Sequence, residues 1–281
     1  MVKAGFSSVF IGIETPSQES LVETQKVQNL RLDLTQAVEK LTRAGLEIMA
    51  GFIVGFDADD AGIFERQRAF IQNAPIPLAM VGILSALPST QLWRRLEKEG
   101  RLLEDWSGEI FGRTNFRTQI PERILLDGYA KLLEDLYEPN AYFARCLRVL
   151  ELWPAQAVNQ FQFPFFYALS TVVRSFWRLG VRAPYRGAFW RFIRDVVRRT
   201  PHLVARGIAQ AVNGEHVIRF THDDVMPRLA WARANPRQAY ARAPKSTANV
   251  GVLGRLPQRA TRNAPPAEPF EEKLVQLGGS R

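Results

Sequence analysis

Three times in its first hundred residues the chain moves from a short apolar run, through a polar turn, to apolar residues spaced for a helix. Val9–Ile13 is the first run, and Leu34, Ala37, Val38 and Leu41 mark the helix that leads to Gly45. The second run is "EIMAGFIVGF", followed by Ile63, Phe64, Phe70 and Ile71 at helical spacing. The third is "AMVGILSALP", followed by "TQLWRRLEKEGRL". Nearly continuous apolar strands alternating with amphipathic helices predict parallel β/α units buried on both faces. Strand starts recur at about 30 to 40 residues, the length of a right-handed crossover. Three units do not close a sheet, so the pattern predicts an α/β fold that is one half of a barrel.

After Arg101 the pattern changes. "PERILLDGYAKLLEDLYEPNAYFARCLRVLELW" reads as one or two helices with a break near Pro139, and arginine-aromatic stretches follow. From Ala243 onward the chain loses periodicity and is rich in Pro, Ala, Asn and Arg, which predicts disorder. The expected organisation is a half-barrel over 1–104, a helical, arginine-rich domain over 105–242, and a disordered tail over 243–281.

Composition narrows the chemistry. At 281 residues, 46% hydrophobic and 23% charged, the chain has ample material for a core. Cys146 is the only cysteine, which excludes an intrachain disulfide and a cysteine cluster for zinc or iron–sulfur. A reducing, cytoplasmic setting fits that usage, and the first residues lack a signal peptide's apolar core. Between Ala141 and Val212 eleven arginines face only Glu151 and Asp195, so this stretch carries the whole net charge of +9. Attraction to anions therefore belongs to the middle of the chain.

Parallel β/α folds bind ligands at the carboxyl ends of their strands. The first end presents Gly12, Glu14 and Thr15, with Glu14 placed to accept hydrogen bonds from a ribose or an ammonium group. At the second, Gly51 and Gly55 let the backbone approach a flat ligand and Ile53 offers apolar contact. The third, "LSALPST", sets Leu87 and Pro88 to cover an aromatic ring. The competing reading makes Glu14 and Asp57 helix caps and the glycines packing or turn residues.

Three segments carry a resemblance: "AGFSSVFIGIETPSQESL", "GFIVGFDADDAGIFERQRAFI" and "GILSALPSTQLWRRLEKEGRL". They resemble the second half of a radical S-adenosylmethionine domain, in the subgroup that carries an N-terminal cobalamin-binding domain and includes the hopanoid methylases. "TNFRTQIPERILLDGYAKLLEDLYEPNAYFARC" is similar to the helical domain after that barrel. The resemblance runs from about Lys3 to Leu150 and more weakly to Leu229. It implies that Val9–Ile13, Glu47–Gly55 and Ala79–Ala86 are strands four to six of a six-stranded partial barrel. Glu14 and Thr15 would then help hold the ribose and methionyl portions of S-adenosylmethionine. Gly51, Ile53 and Gly55 would support its adenine, and Leu84, Ala86 and Leu87 would cover it. Acidic residues follow the glycine motif at Asp57 to Asp60, shifted from the commonest spacing.

The departures from the family are as informative. Its [4Fe–4S] cluster sits on a Cys-x-x-x-Cys-x-x-Cys loop, which this sequence lacks, and one cysteine cannot ligate it. The cobalamin domain and strands one to three are also absent from the sequence. "MVKAGF" resembles the end of the helix before strand four, which implies a longer ancestral frame around Met1. Radical chemistry by this chain alone is not expected. Three readings stay open: a truncated enzyme partnered by a separate polypeptide that carries the cluster half, a non-catalytic module that binds a lipid surface or a protein, and a degraded remnant.

Several further features invite functions of their own. Leu152 to Val173 is uncharged, but prolines and amides interrupt it, so a spanning helix is not expected. In "RGAFWRFIRDVVRR", Phe189, Phe192, Ile193, Val196 and Val197 share one helical face and arginines take the rest. Such a helix suits either packing on the barrel with a solvated arginine face, or an anionic membrane surface reached through residues 174–206. The second reading would give a peripheral location at the inner face of the membrane. No recognisable nucleic-acid motif is present, so nucleic acid is not an expected partner. "THDD" at 221–224 is a weak metal signal and reads better as a helix N-cap at Thr221. Cys146 reads as a buried, inert thiol.

Overall fold

The three apolar runs form strands β1 (Ser8–Glu14), β2 (Glu47–Val54) and β3 (Leu78–Ile83), joined in one parallel sheet of order β1-β2-β3. The computed structural model describes residues 1–23, 33–104, 111–154 and 172–235. Helices α1 (Gln18–Glu23) and α2 (Leu34–Arg43) follow β1, α3 (Ile63–Asn73) follows β2, and α4 (Gln91–Lys98) follows β3. Local chemistry sets their limits. Asp33 caps α2 by accepting from Gln36 N at 3.0 Å, and Thr90 caps α4 by accepting from Trp93 N at 3.2 Å. At the other end of α2, Gly45 N donates to Thr42 O and Leu46 N to Leu41 O, a Schellman stop before β2.

The helical break expected near Pro139 separates α5 (Glu122–Leu136) from α6 (Pro139–Leu152). Glu138 caps α6 through Ala141 N at 2.8 Å, with Pro139 in the first turn where its missing N–H costs nothing. A π-helical turn, Phe176–Arg182, then leads to α7 (Arg186–Arg199), α8 (Val204–Phe220) and α9 (Met226–Ala234). The N-cap expected at Thr221 does not form. Thr221–Val225 is a π-helical turn that carries α8 into α9, and no capping side chain is used there. The tail from 243 lies outside the described residues, as does most of the uncharged stretch 152–173. No helix among the described residues is long and apolar enough to cross a membrane.

One hydrophobic cluster runs from Ile13 on β1 to Ala232 on α9, so the sheet and the helices that follow share a core. Tyr129 of α5 and Tyr137 at its C-terminal cap explain how the outer edge of β3 is tolerated. Tyr129 Oη donates to Val81 O at 2.8 Å and Tyr137 Oη to Ala79 O at 2.5 Å. Both carbonyls are thereby satisfied without another strand. Close approach of α3 to α5 depends on Gly128, since a Cβ there would lie 2.3 Å from the Phe64 ring. In α7, Phe189, Phe192, Ile193 and Val196 are buried, with Phe192 stacked on Phe143 of α6 at 4.8 Å. Val197, expected on the same face, is instead 50% exposed.

Arg145 on α6 is fully buried beside the sheet, and among the described residues it meets no carboxylate. Its guanidinium donates to Leu136 O at 2.8 Å, Ile76 O at 3.1 Å, Gln72 Oε1 at 3.2 Å, and Pro77 O and Ala141 O at 3.4 Å. The rings of Tyr137 and Tyr142 flank it at about 6 Å. One side chain thus satisfies the carbonyls where α3, α5 and the entry to β3 meet. A second tie links Arg206 of α8 to Glu47 of β2 at 2.9 Å, with the guanidinium 3.7 Å from the Trp153 ring.

Replacing Arg145 by Met keeps much of its volume but leaves those carbonyls without a donor. Arg145→Met is expected to lower the unfolding free energy by about 3 kcal/mol or more, measured by urea denaturation. A loss below about 1 kcal/mol, the level of a single ordinary hydrogen bond, would contradict this role.

Candidate functional site

Along each strand, burial alternates. Ile48, Ala50, Phe52 and Val54 of β2 and Ala79, Val81 and Ile83 of β3 are buried under the helices. Their neighbours Met49, Gly51 and Ile53, and Met80 and Gly82, retain exposure on the other face. Phe10 is 57% and Met80 41% exposed. The expectation of a sheet buried on both faces is thus corrected: one face is packed and the other is open. Among the described residues no strand pairs with the outer edge of β1. The apolar runs came from mixing a packed row with a row of glycines and large apolar residues, which hydropathy does not distinguish from double burial.

The open face is nearly bare in its middle. Gly12 pairs with Gly51, Gly51 with Met80, and Ile53 with Gly82. The Phe10 ring lies over Gly51, where a Cβ would come within 3.0 Å of its tip. Gly12, Gly51 and Gly82 therefore make a floor without side chains, bordered by Phe10, Ile53 and Met80.

The carboxyl ends of the strands form a rim above that floor. The register of β1 slips between Gly12 and Glu14, and Glu14 takes φ of 69°, which turns the chain out of the sheet. Thr15 is fully buried, and its hydroxyl accepts from Ser17 N at 3.2 Å to shape the turn into α1. Gly55, at φ of 99°, donates its N–H to Asp59 Oδ2 at 2.8 Å. Leu84 is partly buried against a small second cluster. Ala86 is buried, with both backbone groups held by the Asn115 amide at 2.8 Å. Leu87 is 44% exposed.

Of the nine residues singled out, Gly12, Gly51 and Ile53 thus lie together on the open face, and Glu14, Leu84 and Leu87 along its rim. Thr15, Gly55 and Ala86 sit where they hold the rim loops. Sequence reasoning missed Gln67, fully buried on α3, whose Nε2 donates to Ile53 O at 2.7 Å and reaches Glu14 O at 3.5 Å. A polar residue at an apolar position of an otherwise periodic helix was its only signal. Asn115 had none.

The acidic run after the glycine motif divides three ways. Asp59 is buried and clamps its loop through Gly55 N, Phe56 N and Ser20 Oγ. Burial pushes its carboxyl above the ordinary value, against those donors. Asp60 pairs with Arg66 at 2.7 Å and caps Gly62 N. Asp57, expected as a helix cap in the competing reading, instead accepts from Arg101 at 2.5 and 2.9 Å and from Arg95 at 2.9 Å. The Arg101 hydrogen bond holds the Asp57 carboxyl below its ordinary value of 3.8. Arg95 also meets Glu23 at 3.0 Å, so one ion-pair network joins α1, the loop after β2, α4 and the strap beyond it.

The metal chemistry is limited. Cys146 is fully buried, and burial pushes its thiol up to about 12. Among the described residues no three His, Cys, Asp or Glu side chains gather as a metal site, and "THDD" makes none. His222 and its neighbours lie in the π-helical turn.

Comparison with known proteins places these elements in context. Residues 90–226 match a domain of unknown function, DUF4070. Over 224 residues the chain is 37% identical to an uncharacterized methyltransferase of Synechocystis sp., an alignment that covers 78% of this chain and 42% of that protein. Over 205 residues it is 29% identical to the hopanoid C-2 methylase of Rhodopseudomonas palustris, covering 70% of this chain and 38% of that one. The chain thus spans about two fifths of the length of these curated relatives. No solved structure matches it.

The rim network yields an acid-stability prediction. A carboxyl whose folded pKa is lowered stabilises the fold above its unfolded value and loses that contribution as pH falls through the folded value. Asp57→Asn is expected to cost roughly 1–2 kcal/mol at pH 6. Wild type and variant should converge as pH drops below 3.8, the ordinary value for Asp57. A difference in unfolding free energy that is flat from pH 6 to about 2.5 would contradict the pairing.

Proposed function

We propose that the open face of the sheet is the adenosine-contacting half of an S-adenosylmethionine site in a radical methylase of the hopanoid methylase type. The observation that carries this reading is the glycine floor of Gly12, Gly51 and Gly82 on a parallel sheet whose other face is fully packed. It agrees with relatives named as a methyltransferase and a hopanoid C-2 methylase. When bound, S-adenosylmethionine brings a flat adenine and a charged methionyl end. Gly12 and Gly51 admit the flat ring, and Ile53 contacts it from the strand. Leu84 and Leu87 cover it from the rim, and Glu14 accepts hydrogen bonds from the ribose or the ammonium. Phe10 is exposed enough to swing off Gly51 and admit the ligand.

The residues present do not fit a [4Fe–4S] cluster. The sequence has one cysteine, and that thiol is buried and held protonated. No step is therefore assigned to the cluster or to cobalamin within this chain. In this reading the cluster half lies outside the residues of this sequence and covers the open face and the edge of β1 that no strand pairs with among the described residues. A strand edge with no strand partner among the described residues, and an exposed apolar face beside it, are what such a half would cover.

Titration of the full chain with S-adenosylmethionine, followed by NMR, tests the reading. Weak binding is expected, with shifts concentrated at residues 12–15, 51–55 and 84–87. Gly51→Val should abolish it, because its Cβ occupies the floor while a β-branched residue suits a strand. Shifts elsewhere, or binding unchanged in a folded Gly51→Val, would sink the assignment.

A further inference from the structure

A second exposed apolar surface lies away from the sheet, on the helical region. Residues 172–182 are helical, ending in the π-helical turn Phe176–Arg182. Val173, Trp177 and Val181 recur every fourth residue and are 59%, 60% and 51% exposed. Trp190 of α7 joins them at 47% exposure, its indole N–H donating to Gly180 O at 2.9 Å. Arg174, Arg178 and Arg182 form the adjacent row, and Arg186 continues it on α7; all four are exposed.

This row is not a set of internal ion pairs. Among the described residues only Arg178 has an acidic partner, Glu215 at 2.6 Å, and Glu215 is shared with Arg219. Arg174, Arg182 and Arg186 have none among the described residues. A groove of about 1170 Å³ opens beside Trp177, lined by Arg174, Arg182, Arg191 and Tyr185. The acids in it are Glu138, Glu215 and Asp223, and each is already engaged: Glu138 by Asn140 and Ala141 N, the other two by arginines. The Tyr185 hydroxyl is buried there without a hydrogen-bond partner. Burial pushes it up to about 12, so it remains a neutral donor.

We infer that this surface docks on an anionic membrane. An apolar row with two tryptophans beside a row of arginines, three of the four without an acidic partner among the described residues, has the composition of an interfacial helix, with the rings at headgroup level and the cations on phosphates. The buried face of α7 does not take part, since Phe189, Phe192 and Val196 are already in the core. The contact is made by side chains that the fold leaves exposed. The groove that Arg174, Arg182 and Tyr185 help to line is where a headgroup phosphate would sit. This inference rests on the charge and aromatic pattern, and it stands whether or not the sheet binds S-adenosylmethionine.

Co-sedimentation of the full chain with vesicles tests it. Phosphatidylcholine vesicles containing phosphatidylglycerol should bind the chain at low salt, and phosphatidylcholine alone should not. High salt should release it. An arginine near such a surface contributes about fivefold in binding, so Arg174→Glu with Arg182→Glu should weaken it by roughly thirtyfold or more. Trp177→Ser with Val181→Ser should also weaken it, with the fold verified by circular dichroism. Arg43→Glu with Arg123→Glu, the same charge change at solvated positions elsewhere, should stay within about twofold. No binding at low salt would overturn the inference, as would equal loss in the Arg43/Arg123 control. So would binding indifferent to Trp177 and Val181 but matched by single-stranded nucleic acid, or capture of a protein partner by the same residues without vesicles.

Discussion

A parallel sheet is stable only where its faces and edges are covered, because apolar rows and unpaired backbone groups both cost free energy in water. This sheet meets the requirement on one side only. Helices pack its inner face, and the hydroxyls of Tyr129 and Tyr137 close the outer edge of β3. The other face and the β1 edge are left uncovered among the described residues. The functional reading follows from that asymmetry. A glycine-floored face on a one-sided sheet is a poor place to store stability and a good place to receive something flat.

The helical region holds the packed side rigid. Arg145 gathers carbonyls from three elements at the point where β3 begins, and Arg206 pairs with Glu47 at the start of β2. Both are at the amino ends of the strands, opposite the rim. At the carboxyl ends, the Asp57–Arg95–Arg101 network and the Asp59 clamp order the loops instead. The strands are thus anchored at one end by buried guanidinium groups and framed at the other by partly exposed ion pairs and the Asp59 clamp.

Much of this was legible in the sequence, and the misses have physical reasons. Strand positions and their parallel pairing followed from the apolar runs. The break at Pro139 followed from proline's preference for a first helical turn. The inert character of Cys146 followed from its place in an apolar helix. The open face was not legible, because Phe10, Met49, Ile53 and Met80 are as apolar as the packed row beside them. Hydropathy reports what could be buried, not whether anything covers it. The competing reading made Asp57 a helix cap, but its partners Arg95 and Arg101 lie some forty residues downstream. Thr221 was read as a helix start, yet a π-helical turn lets α8 run on into α9. Arg145 was counted only as one of the eleven arginines of the basic stretch. Nothing in its local sequence announces the five acceptors that converge on it.

The central claim, that the open face holds adenosine, is tested most directly by photolabelling. An azidoadenine analogue of S-adenosylmethionine would be irradiated with the full chain and the labelled peptides mapped by mass spectrometry. The account predicts labels at residues 10–15, 51–55 and 84–87, suppressed by excess unlabelled S-adenosylmethionine. Labels confined to the arginine groove beside Trp177, or spread without competition, would contradict it.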